Sequence, residues 1–518
     1  MKNGARNRIM VIGVIAMIAG LVATALVMIL PRPTPEEALE IEFNNNLMES
    51  INLSHPKPEP ISTMIDLAIV DIKPKKIIPD SVNPASTETC VPVNTAIPAV
   101  AIEQPEVWVT VFIHGIMSIK PHLSLNNIIR LMHDQVENTV YATCVEMMRN
   151  DPFFYKNQPM QAPGLHRIST ENIMPGYASG ILATLFNEVS QTAYATKNVS
   201  NLFYTYGWSG LLSPTMRYKD SVDLHRLLGA EVEQLKQQYG PNVKLRVIGY
   251  SHGGNVALGI ALGKQKYPDI KYTIDELVLM GMPVQPETDF LVGDPMYKLV
   301  YHIYSLGDRI QQLDFLSTKR FFSSRVFKGR DGFTVPSNLR QIQLKVTKRT
   351  SPKRRCNRFD VTKDFDRIDI LMGRSPLLRD RSPGHAEFWF FGWTPLHYRK
   401  KFPLYPLPMV SMLPVIFKGI DAYADKLNPH MPIIVDIRPD QELMIVRNFN
   451  DRCNYGISDF LSVNKLNELN EKIMRMAPHN YNSKTYNDHI AISHEKARII
   501  HKELRGIGQV RPILECDR

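Results

Sequence analysis

Short apolar runs recur along the middle of the chain, each closed by glycine or polar residues: VWVTVFIHG (107–115), NLFYTYGWSG (201–210), KLRVIGYSHGG (244–254), IDELVLMGMPV (274–284), KLVYHIYSLGD (298–308) and LRQIQLKV (339–346). Their β-branched and aromatic content predicts strands. Amphipathic stretches separate several of them. The clearest, SVDLHRLLGAEVEQLKQQYG, sets Leu224, Leu227, Leu228, Val232 and Leu235 on one helical face and stops at Gly240-Pro241. Strands alternating with such helices predict an α/β fold, a mainly parallel sheet covered by helices on both faces. About 85 residues separate the first two strands, more than a crossover needs, which predicts an inserted cap at about 120–200 within a domain spanning 106–400. Beyond it, PIIVDI and ELMIVRNF read as strands and 461–475 and 488–505 as helices, forming a C-terminal α+β extension (401–518) whose place in the sheet the pattern does not give.

The N-terminus follows a different rule. Lys2, Arg6 and Arg8 precede twenty-two uncharged residues, 9–30, enough to span a bilayer core of about 30 Å at about 1.5 Å per residue. A cleaved signal peptide ending near Ala23-Thr24-Ala25 is the competing reading. The apolar run outlasts the roughly 7 to 15 residues of a signal core, so residues 1–30 read as a cytoplasmic n-region and a retained transmembrane anchor. The basic flank then predicts the N-terminus in the cytoplasm and everything after Pro31 on the outer, periplasmic or extracytoplasmic, side of the membrane. Residues 31–105, with PRPTPEEALE, SHPKPEP and DIKPKK, read as a proline-rich tether.

Composition changes the picture in two places. The net charge of +10 is local, because residues 319–358 hold thirteen Lys or Arg against the single acid Asp331. Nucleic-acid binding by the whole chain is therefore not implied. On a tethered protein the basic segment, with Phe321, Phe322 and Phe327 between its charges, is compatible with contact to anionic lipid; a solvated loop remains the plainer alternative. The five cysteines (Cys90, Cys144, Cys356, Cys453, Cys516) are far apart with no CxxC pair, which excludes a zinc ribbon and gives no disulfide framework.

The candidate chemistry centres on Gly249-Tyr250-Ser251-His252-Gly253. Three fixed positions in five are weak by themselves. Here they follow the apolar run LRVI and precede NVALGIALGKQ, the strand, sharp turn and helix that expose a serine Oγ at the carboxyl edge of a parallel sheet. With the upstream VFIHGIMS and the order of residues that follow, the stretch from 106 to about 400 resembles the α/β-hydrolase family of lipases and esterases. That resemblance implies a serine nucleophile at Ser251, an acid after the second strand beyond it, and a histidine after the next strand.

Asp308, closing KLVYHIYSLGD, fits the acid, with Asp314 and Asp294 in reserve. Two histidines fit the base, His385 in RSPGHAEFWFFGW and His397 in TPLHYRK, and the turn-forming Ser-Pro-Gly favours His385. His252 enters the helix and contributes its backbone N–H, not its side chain, to an oxyanion site. A second donor is expected after VFIHG, at Ile116 with Met117 next. His114 either orders that loop or is a satisfied turn histidine. His489, His494 and His501 in the tail do not form a zincin motif, and a solvated helix accounts for them better than a metal site.

The expected function is that of a membrane-anchored serine hydrolase acting on carboxylic esters, with lipid or acyl-ester substrates and no cofactor or metal. A non-catalytic anchored binding protein on the same scaffold is the rival from another class, and acyltransferase, thioesterase or peptidase activity shares the same triad.

Overall fold

The computed structural model describes residues 106–506 apart from 118–129, 132, 172, 174–175, 196–198, 309, 313–322, 348–381, 397, 429, 450 and 452–454. The anchor 9–30, the tether 31–105, the ends of the basic segment, and the reserve residues Asp314 and His397 lie outside the described residues. Among the described residues no helix is long and apolar enough to cross a membrane.

Ten strands form one mixed, mostly parallel sheet: β1 (Glu106–Ile113), β2 (Gly164–Ile168), β3 (Val199–Gly207), β4 (Val243–Tyr250), β5 (Ile274–Met280), β6 (Tyr297–Tyr304), β7 (Leu339–Val346), β8 (Ile433–Arg438), β9 (Leu443–Asn448) and β10 (Tyr455–Asp459). Their order across the sheet is β10-β9-β8-β7-β6-β5-β4-β1-β3-β2. The strands from β3 through β8 in that order pair in parallel, while β2, β9 and β10 run antiparallel at the two ends. From β1 the chain moves one way to β2 and β3, then returns to β4 and continues the other way. This reversal beside β1 is a topological switch point, where the loops at the strands' carboxyl ends diverge and leave a crevice.

The eight longer described helices or single turns used below are α1 (Val140–Asn150), α2 (Ala178–Ala193), α3 (Pro214–Tyr239), α4 (His252–Leu258), α5 (His385–Trp389), α6 (Leu413–Asp421), α7 (Val463–Met476) and α8 (Ser483–Gly506). Strand side chains alternate between two cores, as the two-residue period requires. Phe112 and Ile248 face α2, α5, α6 and α7, while Val111, Ile113 and Val247 face α3 and α4. Each fully buried Val, Ile or Phe contributes roughly 1.5–3 kcal/mol of apolar transfer, which is why successive strand positions are apolar. Helix α3 begins where Pro214 follows Ser213, whose hydroxyl accepts from Met216 N–H at 3.1 Å, and it ends at Gly240 with φ 84°.

Of the stretch 120–200, expected to hold a cap, α2 packs into the first core and β2 closes one sheet edge. Helix α1 instead builds a third core with α8, and Met117, Leu211 and Leu212 from the loops after β1 and β3 join it. Residues expected as a C-terminal extension supply β8, β9 and β10 to the same sheet. Phe327, read from sequence as one of the interfacial aromatics, is only 2% exposed and packs in the core against His302, ring centroids 5.1 Å apart, so its charged neighbours share the segment without sharing its environment.

Candidate active site

Strand β4 ends at Tyr250 and α4 begins at His252, leaving Ser251 alone to make the turn, at φ 52° and ψ −130°. Positive φ costs a non-glycine residue about 1–3 kcal/mol, so surrounding contacts must impose it. Ser251 N–H donates to the Met280 carbonyl of β5 at 2.9 Å, and Gly254 N–H donates back to Ser251 O at 2.9 Å. The flanking glycines allow the close approach. A Cβ at Gly253 would overlap the His114 carbonyl oxygen and lie 2.7 Å from that of Ile113, so α4 can sit against the end of β1 only without a side chain there. Gly115 lies over the turn in the same way: its Cβ would be 3.2 Å from Ser251 Cβ.

Asp308 follows β6 and is fully buried. Its carboxylate is held at both oxygens: Oδ1 accepts from Ile310 N–H at 3.1 Å and Oδ2 accepts from His385 Nδ1 at 2.7 Å. Arg325 Nε donates to the Asp308 carbonyl at 3.2 Å. His385 opens α5, and its Nε2 lies 3.1 Å from Ser251 Oγ. The Tyr250 hydroxyl donates to the His385 carbonyl at 2.9 Å, and the two rings sit 4.8 Å apart. The structure therefore brings together three of the residues singled out in sequence. Asp294, held in reserve as the acid, is committed elsewhere, to Lys264 Nζ at 2.7 Å and to Met296 N–H at 2.8 Å.

An ionised carboxylate only accepts, so Asp308 fixes the imidazole proton on Nδ1 and turns the Nε2 lone pair toward the serine hydroxyl. A hydroxyl so placed can lose its proton to the imidazole as its oxygen attacks a carbonyl, and the buried carboxylate stabilises the imidazolium that results.

The expected oxyanion donors differ in their commitments. Met117 N–H donates to Gly210 O at 3.3 Å, which removes it from consideration as a donor. Ile116 N–H makes no bond to a described residue. His252 stands in the first turn of α4, whose N–H groups have no acceptor within the helix, and its side chain is buried. His114 is fully buried between these parts: Nδ1 donates to Gly115 O at 2.6 Å, its carbonyl accepts from Trp208 Nε1 at 2.6 Å, and its ring stacks on Trp208. Burial, reinforced by the nearby Arg149 charge, holds its pKa well below the usual histidine range, so it is neutral and braces the loop through hydrogen bonds.

Sequence reasoning missed the device that presents His385. Glu387, fully buried, accepts from Gly384 N–H (2.8 Å) through one oxygen and from Arg399 N–H (3.0 Å) and Nε (2.7 Å) through the other. Arg399 Nη2 donates in turn to Ser382 O at 2.8 Å. The loop 382–385 is thus clamped at both ends. Glu387, three residues after Gly384 in SPGHAE, makes the glutamate half of a capping box by accepting the Gly384 N–H, while glycine has no side chain for the other half. Removing one partner of a buried pair strands the other's charge, whereas apolar replacement of both avoids it. Glu387→Ala should therefore cost about 3–5 kcal/mol in chemical denaturation. The double variant Glu387→Leu, Arg399→Met should lose less than Glu387→Ala, and a double variant weaker than the single would show that the pair acts otherwise.

The tail helix is not solvated as expected on the face that carries His494 and His501, which are both buried, and His489 and His501 have structural contacts. His489 Nδ1 donates to Asp151 Oδ2 at 2.7 Å and stacks on Phe153, and His501 Nε2 pairs with the Thr143 hydroxyl at 2.8 Å. Among the described residues no three His, Cys, Asp or Glu side chains converge as a metal site.

The molecule is thus an α/β protein with a ten-stranded, mostly parallel mixed sheet and a buried Ser251–His385–Asp308 hydrogen-bonded chain at the carboxyl edge of that sheet. No protein-family model matches the chain, and no curated protein matches it either.

Proposed function

We propose that this protein is a serine hydrolase of the α/β-hydrolase type that cleaves carboxylic esters, with lipid or other acyl esters as substrates. The observation that carries the reading is the hydrogen-bonded chain from Ser251 Oγ to His385 Nε2 (3.1 Å) and from His385 Nδ1 to Asp308 Oδ2 (2.7 Å), set on a strand-turn-helix elbow with φ 52° at the serine. Ser251 attacks the ester carbonyl. His385 takes the serine proton and delivers it to the leaving alcohol, and Asp308 holds His385 in the productive tautomer. The N–H groups of His252 and Ile116 receive the developing oxyanion, and water, deprotonated by His385, releases the acyl group from Ser251. In this reading residues 9–30 anchor the enzyme with its catalytic domain outside the cytoplasm, and the basic segment faces anionic lipid.

A fluorophosphonate probe tests the reading, because it labels only a serine activated in this way. The wild-type chain should be labelled at one site and Ser251→Ala should not be labelled at all. Equal labelling of both would remove Ser251 from its role, and a folded wild-type protein that takes no label would favour a binding protein on the same scaffold.

A further inference from the structure

Tyr250, the last residue of β4 and the one before Ser251, is 2% exposed. Its ring stacks on Trp389 of α5, with planes 5° apart and centroids at 5.2 Å, and meets Phe390 edge-on at 5.9 Å. Toward the loop after β1, a Cβ at Gly115 would lie 3.0 Å from its Cδ1 and 3.1 Å from its Cε1, so the ring packs directly against that loop's backbone. The hydroxyl donates to the His385 carbonyl at 2.9 Å, and the imidazole of the same residue lies 4.8 Å from the ring. One side chain thus joins the elbow that carries Ser251, the helix that opens with His385, and the loop that carries Ile116.

That convergence has a geometric consequence. Neighbouring Cα atoms stand about 3.8 Å apart, so whatever places the serine also places the phenol. Asp308 fixes the His385 imidazole at Nδ1 (2.7 Å), and the Tyr250 hydroxyl fixes the main chain from which that imidazole projects. The Glu387–Arg399 clamp closes the histidine loop upon its own flanks, whereas the Tyr250 bond ties the loop to the nucleophile's strand. Burial, with the Asp308 and Glu387 charges nearby, holds the phenol pKa well above the usual tyrosine range, so the donor keeps its proton at neutral pH.

We propose that Tyr250 is a positioning residue whose hydroxyl, by holding the His385 carbonyl, sets the 3.1 Å separation of His385 Nε2 from Ser251 Oγ. Its effect on rate rests on Ser251 being the active serine; the geometry it sets does not depend on turnover. A base misplaced by about 1 Å costs about a hundredfold in rate, while the substrate's binding surface is left alone.

Tyr250→Phe in the full-length chain keeps the ring and its stacking and removes only the hydroxyl. It should lower kcat for p-nitrophenyl butyrate by about ten to a hundredfold, with KM within about twofold of the wild type. p-Aminophenylalanine at position 250 puts a weaker N–H donor in the same place, and its kcat should fall between the two. Tyr297→Phe is the control: it removes a buried hydroxyl that donates to the Leu258 carbonyl at 2.7 Å, at the end of β6 opposite the one leading to Asp308, and should leave kcat unchanged. A kcat for Tyr250→Phe within about threefold of the wild type, an equal loss in Tyr297→Phe, or no rescue by the amino group overturns the proposal. If Tyr250→Phe does not fold, the amino variant decides: kcat below the wild type at unchanged KM sustains the proposal, and kcat equal to the wild type overturns it. A wild type that neither hydrolyses the ester nor takes the fluorophosphonate defeats the serine reading instead. The far-downfield NMR resonance of the proton between His385 Nδ1 and Asp308 then decides: a shift in Tyr250→Phe that Tyr297→Phe does not show sustains the positioning role, and an unmoved resonance overturns it.

Discussion

Asp308→Asn is expected to lower kcat for p-nitrophenyl butyrate by about ten-thousand-fold while leaving the melting behaviour close to that of the wild type. The size of the loss follows from which way the new amide must face. Oδ1 of Asp308 accepts the Ile310 N–H at 3.1 Å, and an asparagine can preserve that bond only by putting its carbonyl oxygen there. Its NH2 group then occupies the place of Oδ2, 2.7 Å from His385 Nδ1. An NH2 facing Nδ1 is a donor facing what is now a donor, so the imidazole moves its proton to Nε2 and presents N–H, not a lone pair, to Ser251. The hydroxyl then has no base. Labelling by the fluorophosphonate probe should slow in parallel. Retention of kcat within tenfold of the wild type would sink the assignment of Asp308 as the orienting acid.

Gly253→Ala should be severely damaging for the addition of one methyl group. The added Cβ meets the His114 carbonyl oxygen and lies 2.7 Å from the Ile113 carbonyl oxygen, both backbone atoms at the end of β1. A flexible side chain can swing away from such a contact, but a central strand can yield only by separating from α4. A loss of about 3 kcal/mol in denaturant unfolding is expected. The same separation pulls the His252 and Ile116 N–H groups apart, so the protein that remains folded should lose about a further hundredfold in kcat. Gly329→Ala is the matched control: its nearest neighbour would be Phe333 O at 3.8 Å, and it should leave both quantities unchanged. Equal effects of the two substitutions would mean that the close approach at Gly253 does not shape the site.

The ease of reading this fold from its sequence varied with how much each element had to be buried. The six strands from 107 to 346 were legible because central strands covered on both faces must be apolar at successive positions. GLHRI (β2) and YGISD (β10) escaped notice because each is a short edge strand, only partly buried, whose residues answer to one neighbour. Strands β8 and β9 were visible as strands, but the place of β8 beside β7 was not, since parallel pairing across an intervening stretch of nearly ninety positions leaves no local mark, and β9 takes its place only as the antiparallel neighbour of β8. Ser251, Asp308 and His385 were picked out through the resemblance to α/β-hydrolases, whose order of serine, acid and histidine follows successive strands of a parallel sheet. Glu387 and Arg399 were missed for the opposite reason. Their partnership is set by packing around a loop, and Arg399 carries no motif that separates it from any other surface-type arginine. Met117, the second choice behind Ile116, has its N–H taken by Gly210 O, a pairing that leaves no mark in the sequence.

The third core has a bearing on how the protein comes into being. Met117 and Leu211, the residues that back the loop carrying Ile116, are packed with Tyr481, Tyr486 and Ala497 around the long helix α8. A ribosome therefore delivers Ser251, Asp308 and His385 well before it delivers the helix that steadies the wall behind them. During that interval the nascent chain holds all three side chains of the hydrogen-bonded chain without the support that α8 gives the neighbouring loop in the folded structure.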